Sequence, residues 1–543
     1  MYMSELRSKV ISNDDYPVVD TKYGKVRGLV KDDVFIFRGV KYGKAARFQF
    51  CEEPDSWEEI ADATSFSYGG FKSMAVASDE LTIPHYYLPW NEEDCHNLNI
   101  WTPSIDKNAK KPVVIWLQAG VCNHTMEQYA TDGEELARNG DVVFVGYNLR
   151  GRVTGMLDLS LYGQKYARSN MCVLSDMVRA VTWIHENIQN FGGDPQNVTL
   201  MSQSGGAIHA FLLMHTPAVA GMFHKVTLEG WMLHPMKPPE GMTIKQIHQI
   251  VGKYTVEALG LDESTIDAID TVDINDLSAA ADYAAERLWK EYHIKYHYSV
   301  VADNEYTYQM SLNKPFPGIG PEVSFLIGGD IADSRSNDRV KIGDNKPHTW
   351  DQETVMDYMR QMYGDRAEAV ADAFRKTYPD TPLCEALYLD RKGRRQVLRV
   401  ANNQAGIGAK VWMWMFKYVH HINGNTIAYH CSVNPFVLHN TEYLEASFNP
   451  EKTAKIQEDM TYAWLSFIKN GRPAVPEGTD WPAVVPGDEG PTMVFGEGAP
   501  YVTSDLDLQE IVKPWYIGDS FMGNSLILRQ ISYDMKDVMN DPV

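Results

Sequence analysis

Short runs of β-branched and aromatic residues with polar ends recur along the chain, and longer stretches with apolar positions three and four apart lie between them. K-P-V-V-I-W-L at 111–117, D-V-V-F-V-G-Y-N at 141–148 and N-V-T-L-M at 197–201 are of the first kind. Their near-continuous apolar character predicts strands buried on both faces. E-E-L-A-R from Glu134 and D-M-V-R-A-V-T-W-I-H-E-N-I at 176–188 carry the helical spacing. Strand and helix alternate, which predicts an α/β fold with a mostly parallel, doubly wound sheet. S-F-L-I-G-G-D from Ser324 and K-V-W-M-W-M-F-K-Y at 410–418 continue the series. The helix-patterned stretches at about 232–323 and 345–400 read as insertions over the sheet. Residues 1–543 are then expected to form a single domain.

Composition narrows the function classes. Of 543 residues, 44% are hydrophobic and 22% charged, enough apolar material for a large core. The net charge of −22 argues against a nucleic acid or an anionic membrane as partner, since neither is bound without clustered positive charge. The first residues lack the apolar core of an export signal, and no run of about 18 apolar residues could span a membrane, so a cytoplasmic protein is expected. Cys51, Cys95, Cys122, Cys172, Cys384 and Cys431 lie far apart, with no C-x-x-C pair and no short Cys/His ligand spacing. They read as reduced thiols, and no metal or cofactor is expected. Trp90, Trp231, Trp412, Trp414 and Met415 could line an apolar pocket, but most of them read as core. Oligomeric state is not legible.

The chemistry is concentrated in V-T-L-M-S-Q-S-G-G-A-I-H-A, where a β-branched run meets a small-residue opening to an apolar helical stretch. A strand, a sharp turn and a helix would lift the Ser204 hydroxyl clear of the backbone, as acyl transfer requires. Ser202, Gly205 and Gly206 are small enough for strand and helix to approach closely there.

A serine hydroxyl needs a base, a group that orients the base, and donors for the oxyanion. The base candidate is His439 in P-F-V-L-H-N-T-E-Y-L, with His430, His420 and His421 as competitors on the same connection. The acid candidate is Asp333 in L-I-G-G-D-I-A-D-S, and Asp330 is chemically equivalent. The order Ser204, Asp333, His439 is the one expected when a nucleophile elbow lies on a doubly wound sheet. The loop W-L-Q-A-G-V-C-N-H after residues 111–117 could offer backbone N–H donors.

Longer segments resemble the type-B carboxylesterases, a family that includes cholinesterases, fungal lipases and para-nitrobenzyl esterases. N-E-E-D-C-H-N-L-N-I-W-T-P at 91–103 is similar to the family's S-E-D-C-L-x-L-N-I-W-x-P, and W-I-H-E-N-I-Q-N-F-G-G-D-P-Q-N-V-T-L at 183–200 nearly matches W-V-x-x-N-I-x-x-F-G-G-D-P-x-N-V-T. G-M-F-H-K at Gly221, H-N-T-E at His439 and W-L-S-F-I-K-N-G-R-P at Trp464 are further echoes. The resemblance implies an α/β-hydrolase fold and a cofactor-free serine esterase acting on a small-molecule ester. It places the nucleophile at Ser204, the base at His439, the acid at Asp333, and oxyanion donors at the amides of Gly120, Val121 and Gly205. Glu442 matches a family carboxylate that would support the histidine loop.

The chain departs from this pattern at Asp333, where the family usually has glutamate, at the elbow and at the oxyanion loop. The elbow G-E-S-A-G is S-Q-S-G-G here, so Gln203 replaces a carboxylate beside the nucleophile. The oxyanion loop H-G-G-G-F is Gln118, Ala119, Gly120, Val121 and Cys122, and the side chains of Ala119 and Val121 restrict the backbone. Loss of one well-aimed donor costs about a hundredfold to a thousandfold in turnover. Ester hydrolysis is the expected activity. A lyase or isomerase reaction on the same fold is the alternative, motivated by Gln118, Asn123 and His124. A non-catalytic binding protein is the third reading, against which stands retention of Ser204, Asp333 and His439.

Overall fold

The computed structural model describes residues 9–71, 90–117, 131–230, 238–333, 347–421, 425–443, 447–488 and 490–513. A twelve-stranded sheet runs through them. Its strands, in chain order, are β1 (Val10–Ile11), β2 (Leu29–Lys31), β3 (Val34–Lys41), β4 (Asn97–Thr102), β5 (Lys111–Leu117), β6 (Val143–Tyr147), β7 (Gly193–Gln203), β8 (Lys225–Glu229), β9 (Ser324–Asp330), β10 (Val411–Phe416), β11 (Thr492–Phe495) and β12 (Tyr501–Thr503). The order in space is β1-β2-β3-β4-β6-β5-β7-β8-β9-β10-β11-β12. The seven strands from β6 to β11 are mutually parallel. Antiparallel strands complete both edges.

Successive residues of the parallel strands face opposite sides, and both sides are covered. Val113, Ile115 and Leu117 of β5 enter one buried apolar cluster, together with Phe325, Ile327, Val411 and Met413. Val114 and Trp116 enter another, with Met201, Leu326, Trp412 and Trp414. This is why the strands lack polar alternation in the sequence. Trp412, Trp414 and Met415 are core, as read from their pattern, and Trp231 lies outside the described residues. Strand β7 begins four residues before the run that predicts it, because Gly193 pairs with Lys111 ahead of an irregularity that ends at Val198.

Helices Cys172–Asn187 and Gly205–Met214 connect the central strands. Helices Ile244–Ala258 and Ile274–Tyr292 lie in the first insertion and form a third apolar cluster with Val153, Leu157 and Leu159. Gln352–Tyr363, Ala367–Thr377 and Arg391–Gly406 lie in the second, or run just past it. Val355, Met359 and Phe374 of these helices pack into the cluster that holds Trp116 and Trp414. Among the described residues no helix is long and apolar enough to cross a membrane.

The parallel registers bring the functional connections together. Gln203 is paired with Glu229, and Glu229 with Gly328. The strand ends at Gln203, Glu229 and Asp330 therefore share one rim, where open α/β sheets place their reacting groups.

Candidate active site

Ser204 is the residue at which β7 turns into helix Gly205–Met214. Its backbone has φ 55° and ψ −120°, a conformation that costs an L residue energy and is retained where the surroundings enforce it. Two bonds enforce it here: the Ser204 amide donates to the Glu229 carbonyl at 2.9 Å, and the Ala207 amide to the Ser204 carbonyl at 3.0 Å. Ser202, where the usual elbow has glycine, is fully buried, and its hydroxyl donates to the Thr227 carbonyl at 2.5 Å. Its side chain is thus absorbed by the neighbouring strand.

His430 Nε2 lies 2.7 Å from Ser204 Oγ, and His430 Nδ1 lies 2.8 Å from Asp333 Oδ1. The imidazole is 14% exposed and Asp333 is 1% exposed, so the acid is sheltered while the base opens toward the rim. With Nδ1–H donating to the carboxylate, Nε2 is left to accept the serine proton. Gly230 makes room for the acid: a Cβ there would stand 2.7 Å from Asp333 Oδ1.

The expectation that His439 is the base is corrected by this geometry. The short helix Asn434–Val437 follows His430 and carries the chain away from the rim. His439, half-buried, has its Nδ1 3.5 Å from Asn139 Nδ2 on helix Glu134–Gly140. The other competitors are also elsewhere: His420 is buried against Tyr418 and Phe436, and His421 faces Asn425. Distance along the chain does not single out His430, since His420 and His421 follow the end of β10 more closely still. Glu442 is exposed in the turn Thr441–Tyr443.

The two candidate acids have separate positions. Asp333 touches His430, whereas Asp330 Oδ1 accepts from Ser432 Oγ at 2.9 Å. Burial, and then the nearby Asp333 carboxylate, push the Asp330 carboxyl well above its usual range. Glu229 is pushed up to about 8 by burial, against the hydrogen bonds from Trp464 and Thr227 that favour its charged form. Of the oxyanion candidates, Gly205 opens helix Gly205–Met214 beside Ser204, and Gly120 and Val121 lie outside the described residues, as do Gln118, Ala119, Cys122, Asn123 and His124.

Two groups of possible metal donors occur among the described residues, Cys51/His96/Asp176 and His348/Cys384/Glu385, each with its ligand atoms within 4.8 Å of one another. Neither includes a triad residue. In the first, Asp176 is already paired with the buried Arg150 at 2.6 Å. In the second, His348 and Glu385 are hydrogen-bonded to each other.

Residues 15–500 match the model of the carboxylesterase family. The chain belongs to that family. It is similar to the para-nitrobenzyl esterase of Bacillus subtilis (strain 168), at 29% identity over 86% of this chain and 92% of that protein. The phenmedipham hydrolase of Pseudarthrobacter oxydans is 24% identical over 89% of this chain and 96% of that one. A solved esterase from Clostridium hathewayi, described as able to hydrolyse aliphatic aromatic polyesters, superposes with a TM-score of 0.85 at 28% identity, over 93% of this chain and 99% of that one. This carboxylesterase is accordingly an α/β-hydrolase and a carboxylic ester hydrolase.

Proposed function

We propose that Ser204, His430 and Asp333 perform the ester hydrolysis through an acyl-enzyme. The observation that carries this reading is the single imidazole bridging hydroxyl and carboxylate at 2.7 and 2.8 Å. His430 Nε2 takes the Ser204 proton as Oγ attacks the ester carbonyl, and Asp333 stabilises the imidazolium. The proton then passes to the departing alcohol as the carbon–oxygen bond breaks. Water, deprotonated by the same nitrogen, releases the acid and restores the serine. The Gly205 amide, at a helix start beside the nucleophile, is suited to stabilise the tetrahedral oxyanion, with Gly120 and Val121 proposed as further donors.

Small esters with an aryl or other apolar part are the proposed substrates, supported by the likeness to para-nitrobenzyl esterase and to the polyester-cleaving enzyme. A reducing, cytoplasmic setting is supported by Cys51, Cys95, Cys172, Cys384 and Cys431, none of which is in a disulfide. Alkylation of the native-source protein, unfolded in denaturant without reductant, is expected to label every cysteine, and a protected pair would refute that setting.

Fluorophosphonate labelling and the para-nitrophenol burst from a short-chain ester test the triad. Ser204→Ala should abolish labelling, and His430→Ala should lower kcat by about four orders of magnitude or more. Asp333→Asn is expected to cost about as much by favouring the wrong tautomer. His439→Ala should retain most activity. Loss at His439 with full activity in His430→Ala would refute the assignment.

A further inference from the structure

Beside the triad lie four polar groups that proton transfer does not use: Gln203, Cys431, Ser432 and Asp330. Gln203 immediately precedes the nucleophile, and Cys431 immediately follows the base. The Cys431 thiol donates to Gln203 Oε1 at 3.2 Å, with Gln203 0% and Cys431 2% exposed. Gln203 Nε2 is buried and has no hydrogen-bond partner among the described residues, so within them the thiol is what orients this amide. The backbone has positive φ at Ser204, next to one end of the link, and at Cys431, the other end, with values of 55° and 69°. Each of the two needs an external restraint to hold that conformation. On its other side the histidine loop is tied to the acid loop, since Ser432 Oγ accepts from the Tyr429 amide at 3.1 Å and donates to Asp330.

We infer that Gln203 and Cys431 are positioning residues, their thiol-to-amide hydrogen bond clasping the elbow to the histidine loop and so fixing the separation of Ser204 Oγ from His430 Nε2. The inference rests on the proposed triad. Proton transfer depends steeply on that separation, and a displacement of about 1 Å can cost roughly a hundredfold. Gln203 also explains how an uncharged side chain serves where the related elbow pattern carries glutamate. It accepts the thiol's bond without placing a second negative charge in the interior beside Asp333.

Steady-state hydrolysis of para-nitrophenyl acetate by the full chain tests the clasp. Cys431→Ala and Gln203→Met are each expected to lower kcat about tenfold, the equivalent of one modest buried hydrogen bond, with KM little changed. Cys431→Ser, which keeps a donor, should recover most of the loss. The double variant should cost no more than either single one, because both remove the same bond. Wild-type kcat in Cys431→Ala, or losses that multiply in the double variant, overturn the clasp. Should the alanine or methionine variant fail to fold in a thermal melt, Cys431→Ser and the near-isosteric Cys431→Val decide: serine near wild-type kcat with valine about tenfold lower supports the clasp, and equal kcat in the two overturns it. Wild-type protein that neither labels with fluorophosphonate nor releases para-nitrophenol defeats the triad itself, a result distinct from an active enzyme indifferent to Cys431→Ala.

Discussion

Glu229 is fully enclosed behind the nucleophile, where Trp464 Nε1 donates to its Oε1 at 2.8 Å. With its carboxyl pushed up to about 8 by burial, it is largely protonated at neutral pH. The consequence for stability has a definite sign. The folded state binds this proton more tightly than the unfolded chain, so the contribution is complete below the ordinary glutamate range near 4.5 and is lost as pH rises toward 8. Thermal melts between pH 5 and 8 should show Glu229→Gln removing a slope of about 1.4 kcal/mol per pH unit. Equal slopes in variant and wild type would exclude the buried proton. The same scale separates the two acids: Asp330 and Asp333 are chemically identical in the sequence, and only their partners, Ser432 for one and His430 for the other, distinguish them.

At the scale of elements, the ends of β7, β8 and β9 act as one platform. Strand β8 serves the site without supplying a reacting group: its last carbonyl holds the Ser204 amide, and Gly230 just beyond it leaves space for the acid. Gly230 has φ 49°, so alanine would combine backbone strain with a contact 2.7 Å from Asp333 Oδ1. Gly230→Ala is expected to lower kcat by about two orders of magnitude through displacement of the carboxylate. A crystal structure of the variant with Asp333 unmoved, together with unchanged kcat, would refute this. Buried strands and the elbow were legible because each announces itself locally, by an apolar run or by small residues around a serine. The histidine was not, because His430 and His439 lie on one irregular connection whose path is set by the packing of Asn434–Val437 and not by any periodicity.

At the scale of the whole molecule, the buried Arg150–Asp176 ion pair ties distant segments together. Arg150 follows β6, donates to the carbonyls of Ala46 and Gln49 near the amino terminus, and binds both carboxylate oxygens of Asp176 on helix Cys172–Asn187. Burial alone would raise the Asp176 carboxyl, but the Arg150 guanidinium and His96 outweigh it and hold it well below the usual carboxylate range. Asp176→Ala strands a buried guanidinium and should destabilise the fold by about 3–5 kcal/mol, read as a lower denaturant midpoint. Wild-type stability in that variant would show the pair to be dispensable. The architecture as a whole was written in the chain, because double-sided burial of parallel strands forces long apolar runs and the helices between them keep a 3.6-residue period. Ser204 was visible directly after such a run, and the acid was narrowed to Asp330 or Asp333. Which imidazole meets them, and that Gln203 reaches Cys431, was settled only in three dimensions, since contacts between connections depend on how three neighbouring strands end at one rim, and no local pattern encodes that distance.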